Sequence, residues 1–311
     1  MTTPRKLIEN IRQVIRGKDT EITLTAVCLV AGGHLLIEDL PGLGKTMLAR
    51  SLASSIAGEF RRVQFTPDLL PSDVTGVTVY HQSKEQFAFH PGPVFANVVL
   101  ADEINRASPK TQAALLEVME EGSVTVDGVS HAVPQPFMVV ATQNPIELEG
   151  TYRLPEAQLD RFLMRISMGY PGHAAEVDVL RDHGGGPALS HLQPVLDDEA
   201  VQQMAAAADR IYTADVVYDY IVAICEATRM MTELRFGVSP RGGLALARAA
   251  RALALIKGRE YVTPDEIRQV AVPVLAHRVV LSAEAELHGQ TGASVVEAAL
   301  ASVPVPKTSE T

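Results

Sequence analysis

Basic residues are in short supply. The 311 residues carry 27 Lys and Arg against 37 Asp and Glu, a net charge of −10. No basic cluster exceeds a doublet such as Arg61-Arg62. Backbone binding to nucleic acid needs clustered Lys and Arg, so DNA or RNA is not the expected main ligand. Cysteine is scarcer still. Cys28 and Cys225 each lie in an apolar, helical-looking stretch, which suits packing and excludes a disulfide framework. Long hydrophobic runs are missing too. The most apolar segment, Leu24 to Ile37, is broken by Thr25, Gly32, Gly33 and His34 and falls short of the roughly 20 residues a membrane span needs. The opening "MTTPRKLIEN" has no apolar signal-peptide core. The expectation is a cytoplasmic protein with no membrane span. Also absent are internal repeats, an Asn-Lys-x-Asp guanine motif and a His-Glu-x-x-His zinc motif. No metal site built by the protein alone is expected.

What is present is a core. Hydrophobic residues make up 47% of the chain, the share of a globular protein. Up to about residue 170, strands alternate with helices. Residues 7–31 read as helix, "HLLIE" (34–38) as a buried strand, "TMLARSLASSIA" as helix and "FRRVQF" (60–65) as an alternating strand. "PDLLPSDVTG" reads as loop. "VTVYHQSKEQFAFHPGPVF" reads as two strands around a polar turn, and "VVLA" (98–101) as a central strand. Ser108 and Pro109 suit the start of a helix that runs to Gly122. "VTVDGVS" (124–130) suits a hairpin with an Asp-Gly turn. "FMVVATQNP" is another buried strand, "PEAQLDRF" a short helix and "LMRISM" a last strand. The pattern predicts an α/β domain with a parallel sheet covered on both sides. After a turn at "GGGP" (184–187) the chain becomes alanine-rich at helical spacing, and Thr263, Pro264 and Glu266 form a capping box. The expected division is an α/β domain over 1–190, a helical domain over 191–305 and a disordered tail over 306–311.

The chemistry sits at strand ends. "LPGLGKTMLAR" (40–50) follows the first strand. Gly42 and Gly44 let backbone N–H groups turn toward phosphate oxygens, and the following helix adds its positive N-terminus. Lys45 then reaches the β- and γ-phosphates and Thr46 holds Mg²⁺. The longer phosphate-loop pattern asks for glycine where Asp39 stands. That position is furthest from the phosphates, and Asp tolerates turns. "VVLADE" puts Asp102 and Glu103 at the carboxyl end of a buried strand, where ligands bind in open α/β sheets. Asp102 suits the Mg²⁺ shell and Glu103 the activation of water, which points to hydrolysis. Asn144 in "ATQNP" could orient that water. Arg161 in "LPEAQLDRF" is either a surface ion pair with Asp160 or Glu156, or an arginine reaching a neighbouring subunit. Arg241, in the first turn of a helix opened by Ser239 and Pro240, could close from the helical domain onto the γ-phosphate.

The stretches "EDLPGLGKT", "PGPVFANVVLADEINRASPKTQAALLEVMEE", "ATQNP", "EGTYRLPEAQLDRF" and "SPRGGLALARAARALAL" resemble the MoxR family of AAA+ ATPases from about residue 10 to 300. The resemblance implies a P-loop AAA+ fold, a parallel five-stranded sheet sandwiched by helices and followed by a small all-α lid. It implies a Walker A loop at Gly42–Thr46, with Pro41, Leu43 and Met47 in the same nucleotide-binding segment. It further implies Walker B at Asp102 and Glu103, sensor 1 at Asn144, an arginine finger at Arg161 and sensor 2 at Arg241. ATP and Mg²⁺ are the implied ligands, with Thr46 and Asp102 at the ion. Asp39 is unexceptional in such a loop, "VIRG" (14–17) is expected near adenine, and Arg153 stands where the resemblance leads one to expect proline. The implied assembly is a homo-oligomeric ring, a hexamer by expectation, that remodels or activates partners, often proteins with von Willebrand factor A domains. This chain lacks that domain's Asp-x-Ser-x-Ser motif, so such a domain belongs to a partner. Two alternatives remain at this point: a nucleic-acid motor and a chelatase-type motor subunit.

Overall fold

Strand periodicity sorts the apolar residues into two layers, and a computed structural model shows where each layer lies. It describes residues 3–83, 85–145, 151–152, 154–182 and 188–306. The elements follow in order as α1 (Thr3–Arg12), α2 (Asp19–Val30), β1 (Leu35–Glu38), α3 (Lys45–Ser55), β2 (Phe60–Gln64), α4 (Pro71–Thr75), β3 (Gly76–His81), β4 (Gln86–Pro91) and β5 (Val98–Asp102). Then come α5 (Pro109–Glu121), β6 (Ser123–Val126), β7 (Val129–Ala132), β8 (Met138–Gln143), α6 (Glu156–Leu159), β9 (Met164–Ile166) and α7 (His173–Asp182). The remainder is α8 (Asp198–Asp209), α9 (Asp215–Met230), β10 (Leu234–Phe236), α10 (Pro240–Ile256), α11 (Pro264–Leu275), β11 (Val280–Leu281), α12 (Ala283–Leu287) and α13 (Gly292–Ser302).

The main sheet has five parallel strands in the order β2-β5-β8-β1-β9. Side chains alternate across it, as the two-residue strand period requires. Leu35 and Ile37 face α1–α3 and the C-terminal helices, while Leu36, Val99 and Val139 face α5. Both faces of the central strands β5, β8 and β1 are covered, and those strands are apolar over most of their length. His34, just before β1, ties the lower ends together: its Nδ1 accepts from Val139 N and its Nε2 donates to Met119 O, both at 3.0 Å. Burial holds this imidazole neutral, pushing its pKa down to about 4.

The C-terminal domain is helical, with the small antiparallel pair β10–β11 added to it. Its alanines permit close approach. Ala249, Ala250, Ala252 and Ala254 of α10 are fully buried. The same apolar cluster runs from the sheet through α2 into α8–α11 without a break. The Thr263–Glu266 capping box forms, with Thr263 N donating to Glu266 at 3.0 Å.

Two segments differ from the sequence expectation. The helix expected over 7–31 is two helices, because the chain turns at Gly17, which has φ +67°. An alanine Cβ at Gly17 would lie 2.7 Å from Ala175. "PDLLPSDVTG" contains α4, started by Pro71 and by Asp73, whose carboxylate accepts from Leu70 N at 2.9 Å. The hairpins β3–β4 and β6–β7 are not independent, since Phe89 of one stacks on His131 of the other at 4.1 Å between ring centres. Asp127 and Gly128 both have positive φ, the backbone of a tight two-residue hairpin turn. The expectations for "GGGP", for Arg153 and for most of the tail lie outside the described residues.

Candidate nucleotide site

The segment after β1 builds the floor of the site. Gly42 and Gly44 have φ of +83° and +85°, and no atom lies within 4 Å of a Cβ placed on either. Glycine is required here by backbone conformation rather than by crowding, and the space above the loop is open. Gly44 caps α3, so that helix's unpaired N–H groups and the positive end of its dipole face the opening. Lys45 is the first residue of α3, and its Nζ donates to the carbonyl of Asp39 at 2.8 Å. Burial lowers the lysine's pKa, while Asp102, Asp39 and Glu103 act in the opposite sense.

Asp39 has a task that the loop pattern did not suggest. Its carboxylate accepts from Gly169 N at 2.6 Å, Leu40 N at 2.9 Å and Ser167 Oγ at 3.0 Å. It therefore ties the exit of β1 to the exit of β9. Burial raises its pKa, but the hydrogen bonds from Gly169, Leu40, Ser167 and Met168 outweigh that and hold it below the usual carboxylate range.

The neighbouring strands supply the wall. Asp102 accepts from Thr142 Oγ1 at 2.6 Å through Oδ1 and from Arg62 at 2.6 Å through Oδ2. Glu103 follows β5 in the left-handed region, φ +57° and ψ +49°. Such a backbone is sparsely populated for a residue with a side chain and tends to occur at functional sites. Its N–H donates to Thr142 Oγ1 at 2.9 Å, and its Oε2 accepts from Gln64 at 2.8 Å and Arg106 at 2.9 Å. Pro41, Gly42, Gly44, Lys45, Thr46 and Met47 enclose, with Arg62, Gln64, Asp102, Glu103 and Asn144, a cavity of about 370 Å³. Leu43 is not among the lining residues; it packs on the core. Thr142, Arg62, Gln64 and Arg106 were not singled out from sequence. Alternation in "FRRVQF" puts Arg62 and Gln64 on one face of β2, but only the register Gln64↔Asp102 brings them to the carboxylates.

Arg161 and Arg241 are elsewhere. Both line a second cavity of about 580 Å³ with Gly32–His34, Glu120, Asp160 and Arg278. That cavity lies where β1 and β9 begin, whereas the first lies where β1, β5 and β8 end. The four residues of β1 alone separate the two by roughly 13 Å. Arg241, expected to close from the helical domain onto a γ-phosphate, stands outside the phosphate-loop cavity of its own subunit. Arg241 is held against the α/β domain by Glu120 at 3.1 Å and Asp160 at 3.5 Å, and Arg161 shares Glu120 at 2.9 Å.

A five-stranded parallel sheet with a glycine loop after one strand and paired carboxylates after another defines an ATPase of the AAA type. The family model for "ATPase family associated with various cellular activities" matches residues 34–164, and the AAA lid domain model matches 226–299. The chain belongs to the MoxR family of AAA+ ATPases. It is 40% identical to Chaperone MoxR1 of Mycobacterium tuberculosis over 98% of this chain and 83% of that protein. It is 49% identical to YeaC of Bacillus subtilis over 97% and 94% of the two chains. A crystal structure from Cytophaga hutchinsonii superposes with a TM-score of 0.91 at 37% identity, covering 98% of this chain and 95% of the other. Nucleotide binding and ATP hydrolysis follow from that membership. No helix among the described residues is long and apolar enough to cross a membrane.

Proposed function

We propose that this ATPase works as a ring, hexameric by the family resemblance, in which each nucleotide is held by one subunit and completed by the next, and that turnover remodels or activates partner proteins. One observation carries the reading. The phosphate loop and carboxylates stand at one end of the strands and the arginine pair at the other, which supports a site shared between neighbouring subunits. In the proposed division of roles, the N–H groups of 42–46 and Lys45 bind the phosphates, Glu103 takes the proton of the attacking water and Asn144 orients that water. Thr46 and Asp102 offer the hard oxygens that Mg²⁺ takes, and the ion would offset phosphate charge. Arg161 and Arg241 approach the neighbour's γ-phosphate. Gln64 and Arg106 hold Glu103 until then. A cytoplasmic location is part of the same proposal.

Sedimentation of the chain with a slowly hydrolysed ATP analogue tests the assembly: a multi-subunit species is expected, and a monomer at every protein concentration would end the ring reading. Lys45→Ala is expected to weaken nucleotide binding about ten- to hundredfold, the worth of a charge-assisted hydrogen bond or two. Fluorescent-nucleotide titration measures this, and parent-like affinity would remove Lys45 from the site.

The name of the mycobacterial relative, a chaperone, supports the partner-directed half of the proposal, as do the hairpins. Tyr80 and Phe87 lie across from each other on β3–β4 with ring centres 5.1 Å apart, yet are 50% and 73% exposed. Exposed aromatic pairs are costly to leave in water and suit contact with a client, here including one with a von Willebrand factor A domain. Tyr80→Ser/Phe87→Ser should keep basal ATPase activity and lose activation of the client; full client activation would mean the hairpins are structural padding.

A further inference from the structure

Glu120 lies in the last turn of α5 at the second cavity, and each of its oxygens holds a different arginine. Oε2 forms an ion pair with Arg161 at 2.9 Å and Oε1 accepts from Arg241 at 3.1 Å. One guanidinium comes from the α/β domain and the other from the first turn of α10 in the lid. A second carboxylate, Asp160, accepts from Arg278 Nε at 2.7 Å and pairs with Arg241 at 3.5 Å. Arg278 is nearly buried, and it also donates to the carbonyls of Asp160, Phe162 and Leu163 at 3.1, 2.8 and 3.1 Å. The backbone on both sides of Arg161 is thus clamped from the lid. The cavity is strongly cationic, lined by Arg161, Arg241, Arg248, Arg251 and Arg278 against Glu120 and Asp160.

We infer that Glu120 is the positioning residue for both arginines: its carboxylate brackets one guanidinium from each domain, so that their remaining N–H groups meet the neighbour's terminal phosphate together. The inference rests on the proposed reading that this arginine pair acts across the subunit boundary. Two guanidiniums within reach of one group repel each other, and an anionic group between them offsets that repulsion. A carboxylate accepts on both oxygens, whereas an amide accepts on one and presents donors with the other. Glutamine at 120 therefore keeps the shape of the side chain and turns one of its two contacts into donor against donor. It also loosens the lid from α5 at this point. Each arginine has five N–H donors, so engaging Glu120 leaves others for phosphate.

Glu120→Gln should lower kcat for ATP about ten- to hundredfold, the scale of a misplacement of about 1 Å. KM should stay within about twofold, because the cavity around the phosphate loop shares no lining residue with this one. Glu120→Asp, which restores the charge on a shorter stem, should recover part of the loss. A merely structural role would not move the next readout. Mixed with Glu103→Gln subunits, Glu120→Gln should regain turnover, since its intact Glu103 then meets an intact arginine pair; mixed with Arg161→Ala it should not. Parent-like or raised turnover in Glu120→Gln overturns the inference, and the raised case would make Glu120 a competitor of the phosphate. If Arg161→Ala and Glu103→Gln themselves fail to complement in freely exchanging subunits, it is the boundary-crossing reading that has failed.

Discussion

Glu103→Gln should bind ATP as tightly as the parent chain and hydrolyse it about 10²–10⁴-fold more slowly, the usual worth of a positioned general base. The amide matches the carboxylate in size and can still accept from Gln64 or Arg106. What it cannot do is take a proton. The backbone supports the assignment. Glu103 stands in a left-handed conformation just beyond β5, its N–H bonded to Thr142. Thr142 donates in turn to Asp102, so one hydroxyl fixes the spacing of both carboxylates. Gln64 and Arg106 aim the side chain from β2 and from the turn after β5. Binding is expected to survive because the phosphate contacts come from the loop and from Lys45. Equilibrium binding and single-turnover hydrolysis, measured on the same preparation, separate the two effects. Parent-like hydrolysis would take Glu103 out of the mechanism, and loss of binding alone would make it a ligand rather than a base.

The parts of this site that are close in sequence were legible in sequence. "GLGKT" and "VVLADE" each carry their chemistry in a few consecutive residues, and the strands before them are apolar enough to recognise. The hairpin turn at Asp127-Gly128 and the cap at Ser108 were legible for the same reason: Ser108 accepts from Thr111 N and opens α5 as expected. What needed the fold was everything set by register. Arg62 and Gln64 read as solvated strand residues until β2 is paired beside β5. Asp39 looked like a tolerated exception in the loop, and only the position of Ser167 and Gly169 beyond β9 gives it a reason. The position of Arg241 was the least legible. Its place in the first turn of a lid helix is plain from Ser239 and Pro240, but which side of the sheet that helix packs on is decided by the apolar cluster shared by α2, α8 and α10. Local pattern encodes the helix and says nothing of the cavity it faces.

That placement sharpens the expectation for Arg161. As the bond to the leaving group breaks, negative charge builds on the transferred phosphoryl group, and a cation delivered from outside the nucleotide's own subunit is worth roughly 10³–10⁵ in rate where such arginines act. Lys45 is committed to the same subunit's loop. Arg161 is clamped at the far ends of the strands by Glu120 and by the backbone contacts of Arg278. Arg161→Ala should therefore keep ATP affinity and lose most hydrolysis. Its fold should tolerate the change, since the side chain is 29% exposed and Arg278 continues to hold the loop. Glu103→Gln is defective for the opposite reason, having an intact arginine pair and no base. When the two are mixed, an Arg161→Ala subunit contributes Glu103 to an interface and a Glu103→Gln subunit contributes Arg161. With random assembly about a quarter of interfaces combine both intact groups, so turnover should reappear at up to about one quarter of the parent rate at equal mixing, the ceiling if each interface acts independently and finger removal costs what it does elsewhere. Labelled subunits report exchange in the same sample. Turnover that stays at zero while the labels mix freely would mean that Arg161 does not serve the neighbouring site.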